Sequence, residues 1–235
     1  MWLNGFLVDG YYSSYIIFVL PAIILALFAQ MKVSSTFSKY SSVMSHRGST
    51  AAEIAENILR MNGVNDVNVE KVPGNLTDHY DPRSRTLRLS DSVYGSTSVA
   101  AIGVAAHEAG HAIQHNVGYF PIKLRNLILP VASIGSNIAF PLAILGIVMS
   151  ADFLIEIGII LFTAAVAFQI ITLPVEFNAS RRAVKILESN YILDEEETKG
   201  ASKVLRAAAL TYVAAAATAI GNLLRLLSLA GRRRD

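Results

Sequence analysis

Three long stretches of the sequence contain no charged residue, and their length is the first structural signal. They cover residues 11–31, 126–151 and 157–175. About 20 consecutive apolar residues let a helix cross a bilayer, and each stretch approaches or exceeds that length. Buried core helices are the alternative for the second and third stretches, but runs this long and this free of charge favour membrane helices. We therefore predict an anchor helix followed by a transmembrane helical hairpin.

The first stretch is expected to remain as an uncleaved anchor. A cleaved signal peptide carries Lys or Arg ahead of its apolar core, and residues 1–9 contain neither. Tyr11, Tyr12 and Tyr15 stand near the start of the stretch, and aromatic rings of this kind favour the membrane–water interface. We predict that these three rings lie at one interface.

A fourth stretch, residues 207–224, is a weaker candidate for a membrane span. Its 18 residues are uncharged, but eight of them are alanine, which packs well between helices and drives insertion poorly. The stretch either spans the membrane or packs beside the other helices near the interface.

The distribution of Lys and Arg predicts the orientation in the membrane. Residues 32–126 contain ten of these cations and residues 176–206 contain six, whereas the hairpin connection at 152–156 contains none. Cationic loops stay on the cytoplasmic side, so both polar segments are expected in the cytoplasm and the N-terminus outside. A spanning fourth helix would carry the Arg-rich tail outward, against this rule.

The first polar segment predicts a small α/β unit. A helix is expected from Ala51, strands near residues 67–72 and 86–90, a turn at 78–83, and a further helix from Ser96.

The second polar segment predicts two helices interrupted near residues 190–193, with Asp194 as the N-cap of the later one. The chain then divides into an N-terminal membrane anchor, a cytoplasmic α/β segment, a transmembrane hairpin, a cytoplasmic helical segment, and an alanine-rich helix with a basic tail. Their ranges are 1–31, 32–125, 126–175, 176–206 and 207–235.

The composition excludes several classes of protein. Hydrophobic residues make up 53% and charged residues 16% of the chain, which excludes intrinsic disorder as the main state. The absence of cysteine excludes a disulfide framework and Cys-ligated zinc. The net charge of +2 gives no reason to expect nucleic acid as a partner.

One motif carries recognisable chemistry. His107-Glu108-Ala109-Gly110-His111 has the form HExxH. On a helix, residues four apart lie on the same face, so both imidazoles can reach one zinc ion. Glu108 lies beside them, where it can take a proton from the attacking water. The alternative is a helix face that carries two histidines by coincidence.

A catalytic zinc needs three protein ligands, so a third has to come from elsewhere. His115 continues the same helix face, but on one straight helix it stands about 12 Å from His107. The metzincin arrangement, HExxHxxGxxH, is absent because positions 114 and 117 are Gln and Val. His115 is instead expected at the helix end or on the substrate side.

Glu176 is the candidate for the third ligand. It follows the third uncharged stretch directly. The hairpin before it begins and ends on the same side of the membrane, which returns Glu176 towards the helix carrying His111. The alternative is a carboxylate at the membrane interface, paired with Arg181 or Arg182.

Motifs in five parts of the chain carry a family resemblance. They are the anchor and residues 78–83, 87–89, 105–114 and 173–182. Together they resemble the YugP-like membrane zinc metallopeptidases of bacteria. More distantly, the chain is similar to the gluzincins of the HtpX and CAAX prenyl protease type.

The gluzincin resemblance implies a ligand set. In those enzymes an HExxH helix and the Glu of an ExxAD motif hold the zinc, with membrane helices between them. Glu176 and Ala179 match that motif, whereas Ser180 stands where an Asp usually orients a zinc-binding His. Asp78 or Asp81 is a candidate to replace that Asp; the alternative is that both only cap a turn.

These inferences predict a mainly α integral membrane protein, a helical membrane bundle with a small α/β zincin-like cytoplasmic unit around the HExxH helix. The resemblance also implies an edge strand, residues 86–90, that pairs with an extended substrate. The expected function is a zinc-dependent endopeptidase of the bacterial cytoplasmic membrane, with its active site facing the cytoplasm. Peptides or membrane proteins would be its substrates, in membrane-protein turnover or processing.

In this mechanism Glu108 is the general base and later protonates the leaving amine. The candidates for stabilising the transition state are His79, Tyr80, His115, Arg181 and Arg182.

Two other functions are open from the sequence alone. A non-enzymatic membrane assembly or adaptor protein with a structural zinc would need a fourth protein ligand. The candidates for that ligand are His79, Asp78, Asp81 and His115. A hydrolase acting on a non-peptide amide is the lesser alternative.

Overall fold

The structure is a computed structural model that describes residues 12–231, and it is mainly helical. Tyr11, one of the three tyrosines assigned to an interface, lies outside the described residues, whereas Tyr12 and Tyr15 lie at the start of the first helix. In chain order the elements are α1 (Tyr12–Ser41), α2 (Ala51–Met61), β1 (Asn68–Val72), β2 (His79–Asp81), β3 (Thr86–Ser90), α3 (Val99–Asn116), α4 (Phe120–Met149), α5 (Asp152–Ser189) and α6 (Glu195–Gly231).

Four of the helices, α1, α4, α5 and α6, are long and apolar enough to cross a membrane. The alanine-rich stretch 207–224, the weakest of the four by sequence, lies within α6. The predicted break between the last two helices is confirmed, because α5 ends at Ser189 and α6 begins at Glu195. Asp194 caps α6 as predicted, since its carboxylate accepts a hydrogen bond from the backbone N–H of Glu197.

The chain forms two compact units. The helical unit contains α1 up to Ala29, Lys123–Leu173 and the part of α6 from Thr211. The mixed unit contains Gln30–Ile122 and Pro174–Leu210, and thus the sheet, α2, α3 and the polar parts of α5 and α6.

Small residues bring the helices of the helical unit into close contact. A Cβ at Gly135 would overlap the carbonyl oxygen of Leu161, and a Cβ at Gly221 would overlap that of Phe18. Close backbone approach at small residues is the usual way in which helices pack in lipid. The alanine-rich part of α6 therefore packs against α1.

Large apolar side chains cover the outside of this helical unit. Leu127, Val148 and Phe153 are 62–75% exposed, and Ile24 is 59% exposed. Exposing such an apolar surface to water costs free energy, whereas contact with the acyl chains of lipids does not. The exposed apolar surface and the four long helices indicate a membrane protein.

The sheet of the mixed unit differs from expectation in two ways. Residues 78–83 were expected to form a turn, but His79–Asp81 is a strand that pairs antiparallel with β3. Residues 86–90 were expected to be an edge strand, but the strand order is β1-β3-β2 and β3 is central. Both expectations are wrong because strand pairing is non-local, and a strand of three residues is too short to show an alternating pattern.

Two helices cover this sheet and form the core. Thr50 and Glu53 form a reciprocal capping box at the start of α2, which confirms the predicted helix start. Leu87 and Leu89 of the central strand are fully buried with Ile58 of α2 and Ile102 of α3. The HExxH motif therefore lies on a helix that is fixed by a packed core.

Candidate active site

Two helices of the mixed unit bring three possible metal ligands together. His107 and His111 lie one turn apart on α3, and their rings meet edge to face with centroids 4.7 Å apart. Glu176 lies on α5 and is only 3% exposed. The three ligand atoms lie within 4.8 Å of one another.

A glycine allows the two helices to come this close. A Cβ added at Gly110 would lie 2.9 Å from the carbonyl oxygen of Ala179, closer than side chains tolerate. Ala179 is itself fully buried. Glu176 and Ser180 stand on either side of this contact along α5, which places them opposite the two histidines.

The donor set and its spacing fit zinc. Nε2 of His107 lies 3.1 Å from Nε2 of His111 and 3.2 Å from Oε2 of Glu176. Nε2 of His111 lies 3.5 Å from the same carboxylate oxygen. Around a tetrahedral ion with bonds of about 2.0–2.1 Å, neighbouring ligand atoms stand roughly 3.3 Å apart. Two imidazoles and one carboxylate are a known catalytic zinc set.

Each imidazole is also bonded on its other nitrogen. Nδ1 of His107 lies 3.1 Å from Oγ of Ser180. Nδ1 of His111 lies 3.0 Å from Oε1 of Gln114. Zinc-binding histidines usually have such a partner, which fixes the direction of the ring.

Electrostatic interactions around His111 oppose one another. Burial by itself lowers the pKa of this imidazole, but the interaction with Glu176 and the negative charge of Glu108 outweigh it. The pKa of His111 is therefore raised. A site that favours positive charge on its ligands in this way is suited to a cation.

Glu108 has a different environment from Glu176. It is half-buried beside the two histidines. Within residues 12–231, its carboxylate takes part in no hydrogen bond or ion pair. A carboxylate without a bonding partner next to a metal site can accept a proton from water.

Asp78, just before β2, and Asp81, the last residue of β2, form their hydrogen bonds outside the three-residue cluster. Asp78 accepts hydrogen bonds from the backbone N–H and the hydroxyl of Ser90, and burial raises its pKa. Asp81 accepts hydrogen bonds from Ser84 and Arg83, which lower its pKa to about 2. Among the described residues, neither aspartate is hydrogen-bonded to His107 or His111; Asp78 is bonded to the end of β3, and Asp81 to the turn that follows β2.

The candidates for transition-state stabilisation are spread over three places. His79 on β2 is bonded to the carbonyl of Thr77. The ring of Tyr80 lies 5.5 Å from that of His115, and neither belongs to the three-residue cluster.

The two arginines after Glu176 form a third location. Arg181 donates to the carbonyl oxygen of Phe177, and Arg182 donates to Oδ1 of Asn178. Neither arginine is paired with Glu176 in the described part of the chain, whereas both histidines are.

Gln114 is the contact that sequence reasoning missed. In the sequence, Gln114 excludes the metzincin pattern and ends the motif 105–114, but neither observation indicates a contact with His111. The side chain is fully buried, on the same helix as both histidines and three residues beyond His111. A polar amide one turn after an HExxH histidine is the signal that could have identified it.

Comparison with known proteins adds family membership to this geometry. The profile of a family described as "Putative neutral zinc metallopeptidase" matches residues 15–231. The chain belongs to this family. The family's description names zinc and peptide hydrolysis, and the clustered ligand atoms of His107, His111 and Glu176 suit that metal.

A curated relative agrees with this membership. The chain is 49% identical over 221 residues to "Putative membrane protease YugP" of Bacillus subtilis (strain 168), covering 94% of this chain and 98% of the relative. The resemblance inferred from the sequence motifs is thereby confirmed. No solved structure matches the chain. The family and the relative both support a protease role, and the name of the relative adds a membrane.

Proposed function

We propose that the chain is a zinc-dependent endopeptidase of the bacterial cytoplasmic membrane. His107, His111 and Glu176 would hold the metal and Glu108 would be the general base. The observation that carries this proposal is the convergence of three ligand atoms beside the Glu108 carboxylate, which has no hydrogen-bond partner within residues 12–231. The α/β part of the mixed unit then corresponds to a zincin-like cytoplasmic domain.

The residues of the chain divide the chemistry among them. A bound zinc ion supplies a Lewis acid for the scissile carbonyl and lowers the pKa of water towards neutrality. Glu108 accepts the proton of the attacking water and transfers it to the leaving amine, so the two steps use one carboxylate. Ser180 and Gln114 hold the two imidazoles in their directions.

A structural zinc in an adaptor protein is less well supported. Such a site is usually closed by a fourth protein ligand. In the part of the chain that the structure describes, the ligand cluster has three members, and the four candidates for a fourth do not join it. The open position favours a catalytic role.

The observed strand order changes the strand to which an extended substrate would bind. Both edges of β3 are occupied by β1 and β2, so it cannot accept a further strand. Within the part of the chain that the structure describes, strand β2 pairs on one side only, and it packs against α3, the helix that carries the motif. We propose that a peptide segment of the substrate adds to β2 through backbone hydrogen bonds.

Metal removal tests the proposed reaction. Full-length protein purified in detergent should hydrolyse an unstructured protein such as casein. Exhaustive chelation should abolish that hydrolysis, because the carbonyl loses its Lewis acid, and about one equivalent of zinc should restore it while magnesium should not. Hydrolysis that persists in the metal-free protein, measured with its zinc content, would exclude the proposal.

Cysteine labelling tests the proposed orientation. The chain has no native cysteine, so single-cysteine variants are unambiguous. Cysteine in Ser49→Cys should resist a membrane-impermeant thiol reagent in intact cells and react after permeabilisation. Met149→Cys, at the 64% exposed end of α4, is the matched outer position and should react in intact cells. The reverse pattern would place the mixed unit outside.

A further inference from the structure

We propose that Gln114 is a positioning residue of the metal site. Its amide fixes both the ring direction and the tautomer of His111, and Asn178 and Arg182 hold that amide in place. The inference rests on the proposed function in taking His111 as a metal ligand. It concerns the protein's own hydrogen bonds, which are present without the ion.

The orientation of the amide follows from its partner on α5. The side-chain nitrogen of Gln114 lies 2.8 Å from the backbone carbonyl oxygen of Val175. A carbonyl can only accept a hydrogen bond, so the group facing it has to be the NH₂ of the amide. The amide oxygen then faces His111, at 3.0 Å from Nδ1.

This orientation decides which nitrogen of His111 carries the proton. An amide oxygen can only accept, so Nδ1 of a neutral His111 has to be the donor. Its Nε2 is then left with a free lone pair, and this is the atom that faces His107 and Glu176. The neutral ring is therefore held in the tautomer that a metal requires.

Ser180, the partner of His107, cannot fix a tautomer. Ser180 meets Nδ1 of His107 with a hydroxyl, which can donate or accept by rotating its hydrogen. Ser180 can therefore direct the ring of His107, but it leaves both tautomers available. Of the two outer partners, the buried amide is the one that imposes a single state.

A second residue on α5 completes the bonding of the amide. Oδ1 of Asn178 lies 3.0 Å from the side-chain nitrogen of Gln114 and 2.8 Å from Nε of Arg182, so it accepts from both. Gln114 thus uses both N–H groups and its oxygen while fully buried. A buried polar network in which every group is bonded is rigid and specific.

The same bonds connect the two helices that supply the ligands. Gln114 belongs to α3, whereas Val175 and Asn178 flank Glu176 on α5. One side chain therefore sets the position of His111 relative to the third ligand. It does so with a neutral amide, which adds no further negative charge beside the buried Glu176.

Zinc affinity and the visible spectrum of the cobalt-substituted protein test this role in full-length protein. Gln114→Leu keeps the volume and removes the oxygen, and should weaken zinc binding about 10–100-fold, with a changed cobalt d–d absorption. Asn116→Leu, an exposed position on the same helix, is the matched control and should bind like wild type.

Asn178→Ala provides a variant at a half-buried position in case Gln114→Leu does not fold. It removes one partner of the amide and should weaken zinc binding about 2–10-fold. Wild-type zinc affinity in folded Gln114→Leu or in Asn178→Ala would overturn the proposal. A wild-type protein that binds zinc and cleaves no peptide would refute the proposed function alone.

Discussion

Replacing Glu108 by glutamine should leave zinc bound and reduce peptide hydrolysis roughly 10²–10⁴-fold, the usual contribution of a general acid–base group. The amide has the shape of the carboxylate, so the packing of α3 is preserved. It cannot accept a proton from water, and it cannot return one to the leaving amine. Since the carboxylate has no bonding partner among the described residues, its replacement breaks no structural contact.

A matched substitution separates this effect from a change in charge. Glu56 lies exposed on α2 in the same mixed unit, and Glu56→Gln should retain full hydrolysis and zinc content. Rates are measured on an unstructured protein substrate, with zinc determined by elemental analysis of the same samples. Full peptidase activity in Glu108→Gln would show that another group is the base.

The helical elements were predictable because their signals are local. Charge-free stretches, the Thr50 capping box and the Asp194 cap each depend on a few consecutive residues. The pairing of His107 with His111 follows in the same way from the period of one helix. Such features need no knowledge of what lies opposite.

The sheet and the hydrogen-bonding partners of the site depend on tertiary contacts. Whether β3 lies at an edge is decided by β1 and β2, which are separate in sequence. The role of Gln114 exists only because Gly110 lets α5 approach α3 at Ala179. The family resemblance implied a position for Ser180 where a side chain orients a zinc-binding His, but the sequence did not indicate that Gln114 would face the other histidine.

Glu176→Ala should remove most of the bound zinc, because only two imidazoles remain and catalytic sites use three protein ligands. Glu176 is 3% exposed and lies close to both histidines. Among the described residues it supplies the one carboxylate of the His107–His111–Glu176 cluster. The measurement is zinc per protein after dialysis against a weak chelator.

Glu188→Ala is the matched control for this loss, since Glu188 is an exposed carboxylate further along the same helix. It should retain zinc at the wild-type level. Glu176→Asp keeps the charge but shortens the side chain by one methylene group. Its carboxylate oxygen would lie farther from the imidazole nitrogens than the 3.2 Å and 3.5 Å of Glu176, so the variant should bind zinc with an intermediate affinity. Undiminished zinc in Glu176→Ala would remove Glu176 from the site, and the third ligand would then have to come from outside the observed cluster.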